Sequence, residues 1–359
     1  MRFLGFFRPQ AQGTSANQLA IVTLRYMKEL AIIGLLLGVM TACKPQSAGI
    51  APHPASSSTK PLRIGAYFWP GSFWIDVAWK KGWFEEAGLA VVRVDSNADY
   101  FKSFDDLVHG DLDTVGFTLF DLILYDAKGS DIVGVLNSDI SFGADALVVR
   151  SGISSLKDLY GKKIGLPKGT YLEFMLDIIA RRDGMKATDF DLVDIAAENA
   201  DKVLASGKVD AVMTWEPIAS LAVEAVKGKR LFTTADLPGV SGGLFAFRRE
   251  FLDTRPEDVQ RFVNVWNRTT EFIASNRKEA FAIVAEVNHK SVAVVEQFAT
   301  GDKVLDRRGN ELAFSYASGF DSLHGTWRQM NDFMLERKLV KERLESQAFL
   351  DARFLMALK

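Results

Sequence analysis

Residues 161–171 read Gly-Lys-Lys-Ile-Gly-Leu-Pro-Lys-Gly-Thr-Tyr, and an apolar segment with helical spacing follows them. Lys163–Leu166 predicts a short strand that ends at a Pro/Gly turn, and Thr170 is a typical N-cap for the next helix. Strand, turn and capped helix together form the βα unit of an α/β fold. The free amides of such a helix start attract an anion or a polar oxygen, so the stretch predicts either a ligand contact or an ordinary βα loop.

Composition and motifs exclude several classes of function. The 359 residues carry a net charge of −2, without the concentrated basic face that nucleic acid requires. The order Lys168-Gly169-Thr170 differs from the Gly-Lys-Ser/Thr of a P-loop, so nucleotide binding is not supported. The four histidines lack metal-site spacing and no Gly-x-Ser-x-Gly elbow occurs, so we expect no metal, no cofactor and no enzyme. The alternative is a catalytic site in which folding brings a histidine close to carboxylates that are distant in sequence.

The N-terminus has the pattern of a secreted lipoprotein. Eleven apolar residues, 30–40, follow basic residues and are too few to span a bilayer. The sequence Met-Thr-Ala-Cys that ends at Cys43 resembles a bacterial lipobox, in which the chain is cut before the lipid-bearing cysteine. We therefore predict a signal peptide over residues 1–42, with translation starting at the first methionine or at Met27, and a flexible tether over residues 43–61. A short buried helix that ends in a core cysteine is the alternative.

Strands and helices alternate from residue 62 to residue 233, and the chain is mainly helical after Pro256. This alternation predicts βαβ units and mostly parallel sheets with helices on both faces. The pattern Gly-x-Leu/Val-Asp-small-Val occurs at residues 110–115 and again at 207–212, each time entering an apolar strand. The repetition favours two similarly wound lobes.

Polar and aromatic residues follow the predicted strands at four places: residues 67–74, 116–118, 137–145 and 215–217. Ligands of parallel sheets gather where the carboxyl ends of the strands meet, so these loops are candidate binding segments. Each also has a purely structural interpretation, because aromatic residues belong in cores and acidic residues favour caps and turns.

Several stretches resemble the solute-binding proteins of ABC importers. They are residues 62–65, residues 161–165 with 169–170, and residues 207–211 with 215–217. Residues 141–146 are similar to a segment of the group that serves nitrate, aliphatic sulfonates, taurine, bicarbonate and thiamine-pyrimidine precursors. The resemblance implies a type II periplasmic-binding fold, in which two α/β lobes joined by two crossing strands close on a ligand.

By that resemblance, residues 62–146 and 244–359 form the first lobe, on which the C-terminal helices pack, and residues 147–243 form the second. The family's ligand contacts then fall on the candidate loops and on the turn at residue 169. The residues so implicated are Tyr67, Trp69, Ser72, Phe73, Thr118, Asp139, Asp145, Gly169, Thr170, Tyr171, Trp215 and Glu216.

Acidic residues in these loops limit the kinds of ligand that the site would bind. Asp139, Asp145 and Glu216 would repel a simple anion unless they are paired or point away, and Lys168 is the one basic residue nearby. Nitrate and bicarbonate are therefore disfavoured. A solute with an amine or ring NH and an apolar body fits better, such as a taurine-like zwitterion or a stacked pyrimidine.

The sequence thus predicts a substrate-binding protein of an ABC importer, lipid-anchored through Cys43 on the periplasmic or cell-surface side of a bacterial membrane. We expect a monomer that works with a permease and its ATPase. Two alternatives stay open. One is a ligand sensor for a membrane signalling partner, and the other is a pyrimidine-precursor synthesising enzyme of the same fold, whose cysteine- and histidine-dependent chemistry this sequence lacks.

Overall fold

The computed structural model describes residues 60–358. The predicted signal peptide (residues 1–42), the lipidated Cys43, the alternative start Met27 and nearly all of the predicted tether lie outside these residues. Within residues 60–358, none of the helices has the length and apolar character needed to cross a membrane.

The strands and helices alternate as the sequence predicts. The strands within residues 60–358 are β1 (Leu62–Ala66), β2 (Val91–Asp95), β3 (Thr114–Thr118), β4 (Ile132–Ser141), β5 (Asp145–Val149), β6 (Lys163–Leu166), β7 (Asp191–Asp194), β8 (Ala211–Trp215), β9 (Lys229–Thr233), β10 (Gly242–Arg248) and β11 (Asp302–Val304). The α-helices there are α1 (Pro70–Phe73), α2 (Ile75–Lys80), α3 (Trp83–Glu86), α4 (Tyr100–His109), α5 (Leu119–Asp126), α6 (Tyr171–Arg182), α7 (Ala200–Ala205), α8 (Ile218–Val226), α9 (Arg249–Thr254), α10 (Pro256–Ser275), α11 (Arg277–Val287), α12 (Val292–Thr300), α13 (Arg307–Ala313), α14 (Leu323–Glu336) and α15 (Arg353–Met356).

The strands form two mixed sheets, in the orders β11-β4-β10-β3-β1-β2 and β7-β6-β8-β5-β9. Four of the nine neighbouring pairs are parallel, fewer than the alternation predicts. The reason is that β5 and β10, each entering from the other sheet, run against both of their neighbours, and β11 runs against β4 at the edge.

The chain passes between the sheets twice, between Ser141 and Asp145 and between Thr233 and Gly242. The division into lobes at residues 146/147 and 243/244 stays a prediction. Residues 137–145 are predicted as a loop after a strand, but β4 continues to Ser141, so Asp139 lies on the strand and not in a loop. Pairing with β10 on one side and β11 on the other satisfies the backbone of this polar stretch and extends the strand.

Aromatic side chains build the core and tie the C-terminal helices to the first sheet. On α10, Phe262 and Trp266 pack against Phe245 of β10, with ring centroids 5.1 and 5.4 Å apart. This confirms the predicted packing of the C-terminal helices on the first sheet.

A second aromatic group joins the helices of the two sheets. Phe174 on α6 packs against Phe333 on α14, with ring centroids 5.5 Å apart, and against Phe120 on α5 at 6.4 Å. Beside these rings, Arg337 forms an ion pair with the buried Glu173 of α6. Helix α6, which follows the Pro/Gly turn after β6, packs through these contacts on helices of the first sheet.

Candidate functional site

A cavity of about 540 Å³ lies where the strand ends of both sheets meet the crossing segments. Eight of the twelve predicted contacts line it: Tyr67, Trp69, Thr118, Asp139, Asp145, Thr170, Tyr171 and Trp215. Lining residues just after β1 and at the carboxyl ends of β3, β4 and β8 converge on one space, as expected for such strand ends, and Asp145 joins them from the first position of β5.

The loop after β1 forms one aromatic wall. The Tyr67 hydroxyl donates to the Gly116 carbonyl oxygen at 2.8 Å, and its ring meets Tyr100 edge to face, with centroids 5.3 Å apart. Trp69 contacts Phe298 of α12. These contacts hold rigid aromatic surfaces on the side of the first sheet.

The second sheet supplies the opposite wall. Tyr171, the first residue of α6, stacks with Trp215 at the end of β8, with ring centroids 6.4 Å apart and planes 19° apart. The Tyr171 hydroxyl donates to Asp145 Oδ1 at 2.8 Å. Since Asp145 pairs with Trp215 across β5 and β8, one cluster joins both rings to a carboxylate.

Two buried aspartates form the floor at the first crossing. Ser138 donates to Asp139 Oδ1 at 2.7 Å, and an added Cβ on Gly71 or Gly243 would lie 2.0 or 2.2 Å from that same oxygen. Only glycine leaves room for the backbone on both sides of this carboxylate. Asp139 is therefore held in one position.

Asp145 is the more unusual of the two. It is 1% exposed, and its Oδ2 has no hydrogen-bond partner among residues 60–358. Burial raises the pKa of Asp145 to about 6, and the carboxylate of Asp139 adds to this, while the nearby Ser141 hydroxyl and the hydrogen bond from Tyr171 act in the opposite direction.

A third carboxylate, Asp302, lies behind this floor on β11. It pairs with Ser141 across β4 and β11, two residues from Asp139 and on the same face of the sheet. Both of its carboxylate oxygens are buried, and neither has a hydrogen-bond partner within residues 60–358. Burial, and then the charge of Asp139, raise the pKa of Asp302 well above its ordinary value.

Asp121 on α5 is a further acid in the cavity wall. It accepts hydrogen bonds from the hydroxyls of Thr118 at 2.6 Å and Tyr100 at 3.0 Å. Burial raises the pKa of Asp121, and these hydrogen bonds oppose the increase. Asp121 is thus a partnered acid, unlike Asp145.

The charge of the lining has one sign. Its acidic residues are Asp99, Asp121, Asp139, Asp145 and Glu198, and the lining residues include no lysine, arginine or histidine. Within residues 60–358, no group of three His, Cys, Asp or Glu side chains is arranged to hold a metal ion. The cavity therefore offers acceptors and aromatic surface to an organic molecule.

Four predicted contacts do not line the cavity. Ser72 is buried and accepts from the Tyr67 amide at 3.2 Å, while Phe73 belongs to the core beside Trp74. Glu216 is turned toward Arg230, with which it forms an ion pair. The Gly169 amide donates to Glu173 Oε2 at 2.7 Å, so a first-turn carboxylate occupies part of the expected anion cradle.

Thr170 occupies the predicted N-cap position of α6, but its side chain does not make the predicted capping hydrogen bond. Thr170 precedes α6 as expected, yet its hydroxyl donates to the Pro167 carbonyl oxygen at 2.8 Å and accepts no capping bond. Thr170 remains in the cavity lining, without the free cap that the opening stretch predicts.

Sequence reasoning missed several lining residues. Asp121 carried a signal, since Thr118-x-x-Asp121 is a capping pattern at a helix start. Tyr100, Glu198 and the second crossing at residues 241–243 carried none, because only chain folding brings them to the strand ends.

Comparison with known proteins agrees with this architecture. The chain is 28% identical over 260 residues to a protein of Brucella abortus (strain 2308) named as a candidate binding protein, covering 71% of this chain and 80% of that one. It is 26% identical over 285 residues to a protein of Bacillus subtilis (strain 168) named as a candidate aliphatic sulfonates-binding protein, covering 78% and 82%.

Solved structures share the fold. The periplasmic aliphatic sulphonate binding protein of Escherichia coli superposes with a TM-score of 0.67 at 20% identity, over 81% of this chain and 92% of that one. A desulfurization enzyme superposes with a TM-score of 0.57 at 15% identity, over 83% and 98%. At these identities the likeness shows the fold alone, and it confirms the predicted periplasmic-binding fold.

The family assignment comes from a third comparison. The family model described as NMT1/THI5 like matches residues 69–280, which include Trp69 of the first wall, both aspartates of the floor and the Tyr171–Trp215 pair. Because this match spans more than half of the 359 residues, the chain belongs to the NMT1/THI5-like family.

Proposed function

We propose that this protein is the extracytoplasmic substrate-binding component of an ABC importer and that it captures a small organic solute between its two sheets. The cavity carries the proposal: about 540 Å³ in volume, it receives lining residues from both sheets, eight of them aromatic. Pockets of roughly 300–1,000 Å³ suit small organic ligands. Relatives named for aliphatic sulfonates and for taurine support a sulfonate-like or taurine-like solute. The aromatic walls also suit a pyrimidine-like solute, and we propose that either is held without chemical conversion.

Capture works by a change in the angle between the sheets. The aromatic walls belong to different sheets, and two crossing segments join these sheets. Bending at the crossings would open the cavity to solvent, and closing them would bury the solute and present both lobes to a permease and its ATPase.

We expect Trp215→Ala to weaken solute binding about 30-fold, because loss of a buried aromatic anchor removes about 2 kcal/mol or more. The measurement is a thermal-shift screen against sulfonates, amino-sulfonates, pyrimidines and small anions, with hits titrated by calorimetry. A bound solute raises the melting temperature by mass action.

Trp79→Ala is the matched control, since Trp79 lies on α2 outside the cavity lining. It should keep the solute-induced shift. An undiminished shift in Trp215→Ala would place the site elsewhere, and conversion of a hit, followed by NMR, would contradict a binding role.

Membrane attachment gives a separate test of the predicted anchor. We propose that Cys43 carries the lipid and that the protein works as a monomer on the periplasmic or cell-surface side. Cys43→Ser is expected to abolish incorporation of labelled palmitate and to release the protein from the membrane fraction. Equal labelling of both proteins would refute the anchor while leaving solute capture intact.

A further inference from the structure

We propose that the cavity selects an organic cation: a protonated amine that binds Asp139 and Asp145 and is attached to a flat apolar body held between the aromatic walls. This inference rests on the proposed function and names the substrate class of the same site. It distinguishes this chain from its relatives named for sulfonates, whose solutes carry the opposite charge.

The charged side chains that line the cavity all have the same sign. All five charged lining residues are acidic, so a sulfonate in the cavity would meet carboxylates with no cation beside it. Like charges brought together in a desolvated site repel each other strongly and oppose binding. An ammonium group in the same place would instead be attracted by every charged neighbour.

One oxygen of Asp145 lacks a hydrogen-bond donor. Asp145 is 1% exposed and lines the cavity; Tyr171 donates to its Oδ1, but no group within residues 60–358 donates to its Oδ2. Buried carboxylate oxygens are nearly always paired, so this vacancy calls for a donor from a ligand. A protonated amine has up to three N–H donors and a positive charge.

Neighbouring groups hold the Asp139 side chain in place before any solute binds. Ser138 donates to its Oδ1, and the backbones at Gly71 and Gly243 close around that oxygen. Asp302, behind it, adds a further buried carboxyl group to the same patch. An ammonium group here would neutralise a patch beside which the lining residues include no lysine, arginine or histidine.

The aromatic surface of the cavity also favours a cation. The ring faces of tryptophan and tyrosine attract cations, and the pair formed by Tyr171 and Trp215 adjoins Asp145. The rings therefore favour the same charge as the carboxylates and also provide a contact area for a flat body.

The proton balance supports the proposal. Groups on three elements face Asp145: Asp139 on β4, Tyr171 on α6 and, behind Asp139, Asp302 on β11. Burial holds the pKa of Asp145 at about 6, so at lower pH the empty cavity keeps a proton there. A bound cation stabilises the ionised form and expels that proton, so affinity should rise as the pH increases through this range.

The test uses three probes that share one ring: benzylamine, benzyl alcohol and phenylmethanesulfonate, titrated calorimetrically into the purified full chain at neutral pH. We expect benzylamine to bind at least about tenfold more tightly than the alcohol and the sulfonate to be rejected. Asp145→Asn should reduce benzylamine affinity about 30-fold, because it removes the charge and keeps the shape. Asp253→Asn, an exposed acid on α9, is the matched control and should change nothing.

The outcomes separate the two proposals. Sulfonate binding stronger than amine binding, unaffected by Asp145→Asn but lost in Trp215→Ala, would overturn the cation and leave solute capture standing. Amine binding that is equal in Asp145→Asn and the native chain would also overturn it. If no probe binds and the wider solute screen yields no shift, both proposals fail.

Discussion

The Phe174→Ala variant is expected to lose about 3–5 kcal/mol of the free energy of unfolding, the largest stability effect we predict. Phe174 is fully buried, and its ring packs between Phe120, Phe320 and Phe333. Truncation leaves a cavity that these rings, carried by several elements, cannot close without moving the helices. Urea denaturation followed by circular dichroism gives the free energy and the midpoint.

Phe142→Ala is the control for the same chemical change. Phe142 is 46% exposed, so its replacement should cost about 1 kcal/mol or less. Because α6 also carries Tyr171, Phe174→Ala should in addition weaken solute binding. A loss no larger than that of Phe142→Ala would show that the aromatic group between the helices is not a stabilising contact.

The second large effect is a stability that falls as the pH rises. Asp145 keeps its proton up to a pKa of about 6 in the folded chain, whereas the ordinary value is 3.8. Between these values unfolding releases a proton, so higher pH favours the unfolded chain. At neutral pH this single group should cost the solute-free protein about 3 kcal/mol.

Asp145→Asn isolates this contribution. Its free energy of unfolding relative to the native chain should increase by about 2.5 kcal/mol between pH 4 and pH 7, most of it below about pH 6. Parallel urea titrations at each pH measure the difference, which includes the coupling of Asp145 to Asp139 and Asp302. A difference that stays constant with pH would mean that Asp145 is ionised without penalty, and the vacancy at its Oδ2 would need another explanation.

The two effects of Asp145→Asn have opposite signs, since one substitution stabilises the empty protein and weakens cation binding. A buried, incompletely paired carboxylate is unfavourable for folding, so it persists where a ligand supplies the missing partner. A purely structural aspartate would not combine these responses.

Local elements were predictable where strong short-range signals surround them. The predicted bounds of β6 and the predicted start of α6 after Thr170 agree with the structure, because a Pro/Gly turn separates the strand from the helix start within five residues. Predictions were weaker where pairing extends an element. Strand β4 runs on through Asp139 because β10 and β11 hold it from both sides, and neither partner is adjacent in sequence.

The sequence by itself determined the α/β alternation and the family resemblance. It also determined the strand ends near Tyr67, Thr118 and Trp215 and the helix start at Tyr171, since these depend on periodicity and turn chemistry over a few residues. Only the tertiary structure decided which acids share one cavity. Glu216 is paired with Arg230 away from the site, whereas Asp302 joins Asp139 through the pairing of β4 with β11. The electrostatic environment of a carboxylate depends on neighbours from distant parts of the chain, and folding alone brings these together.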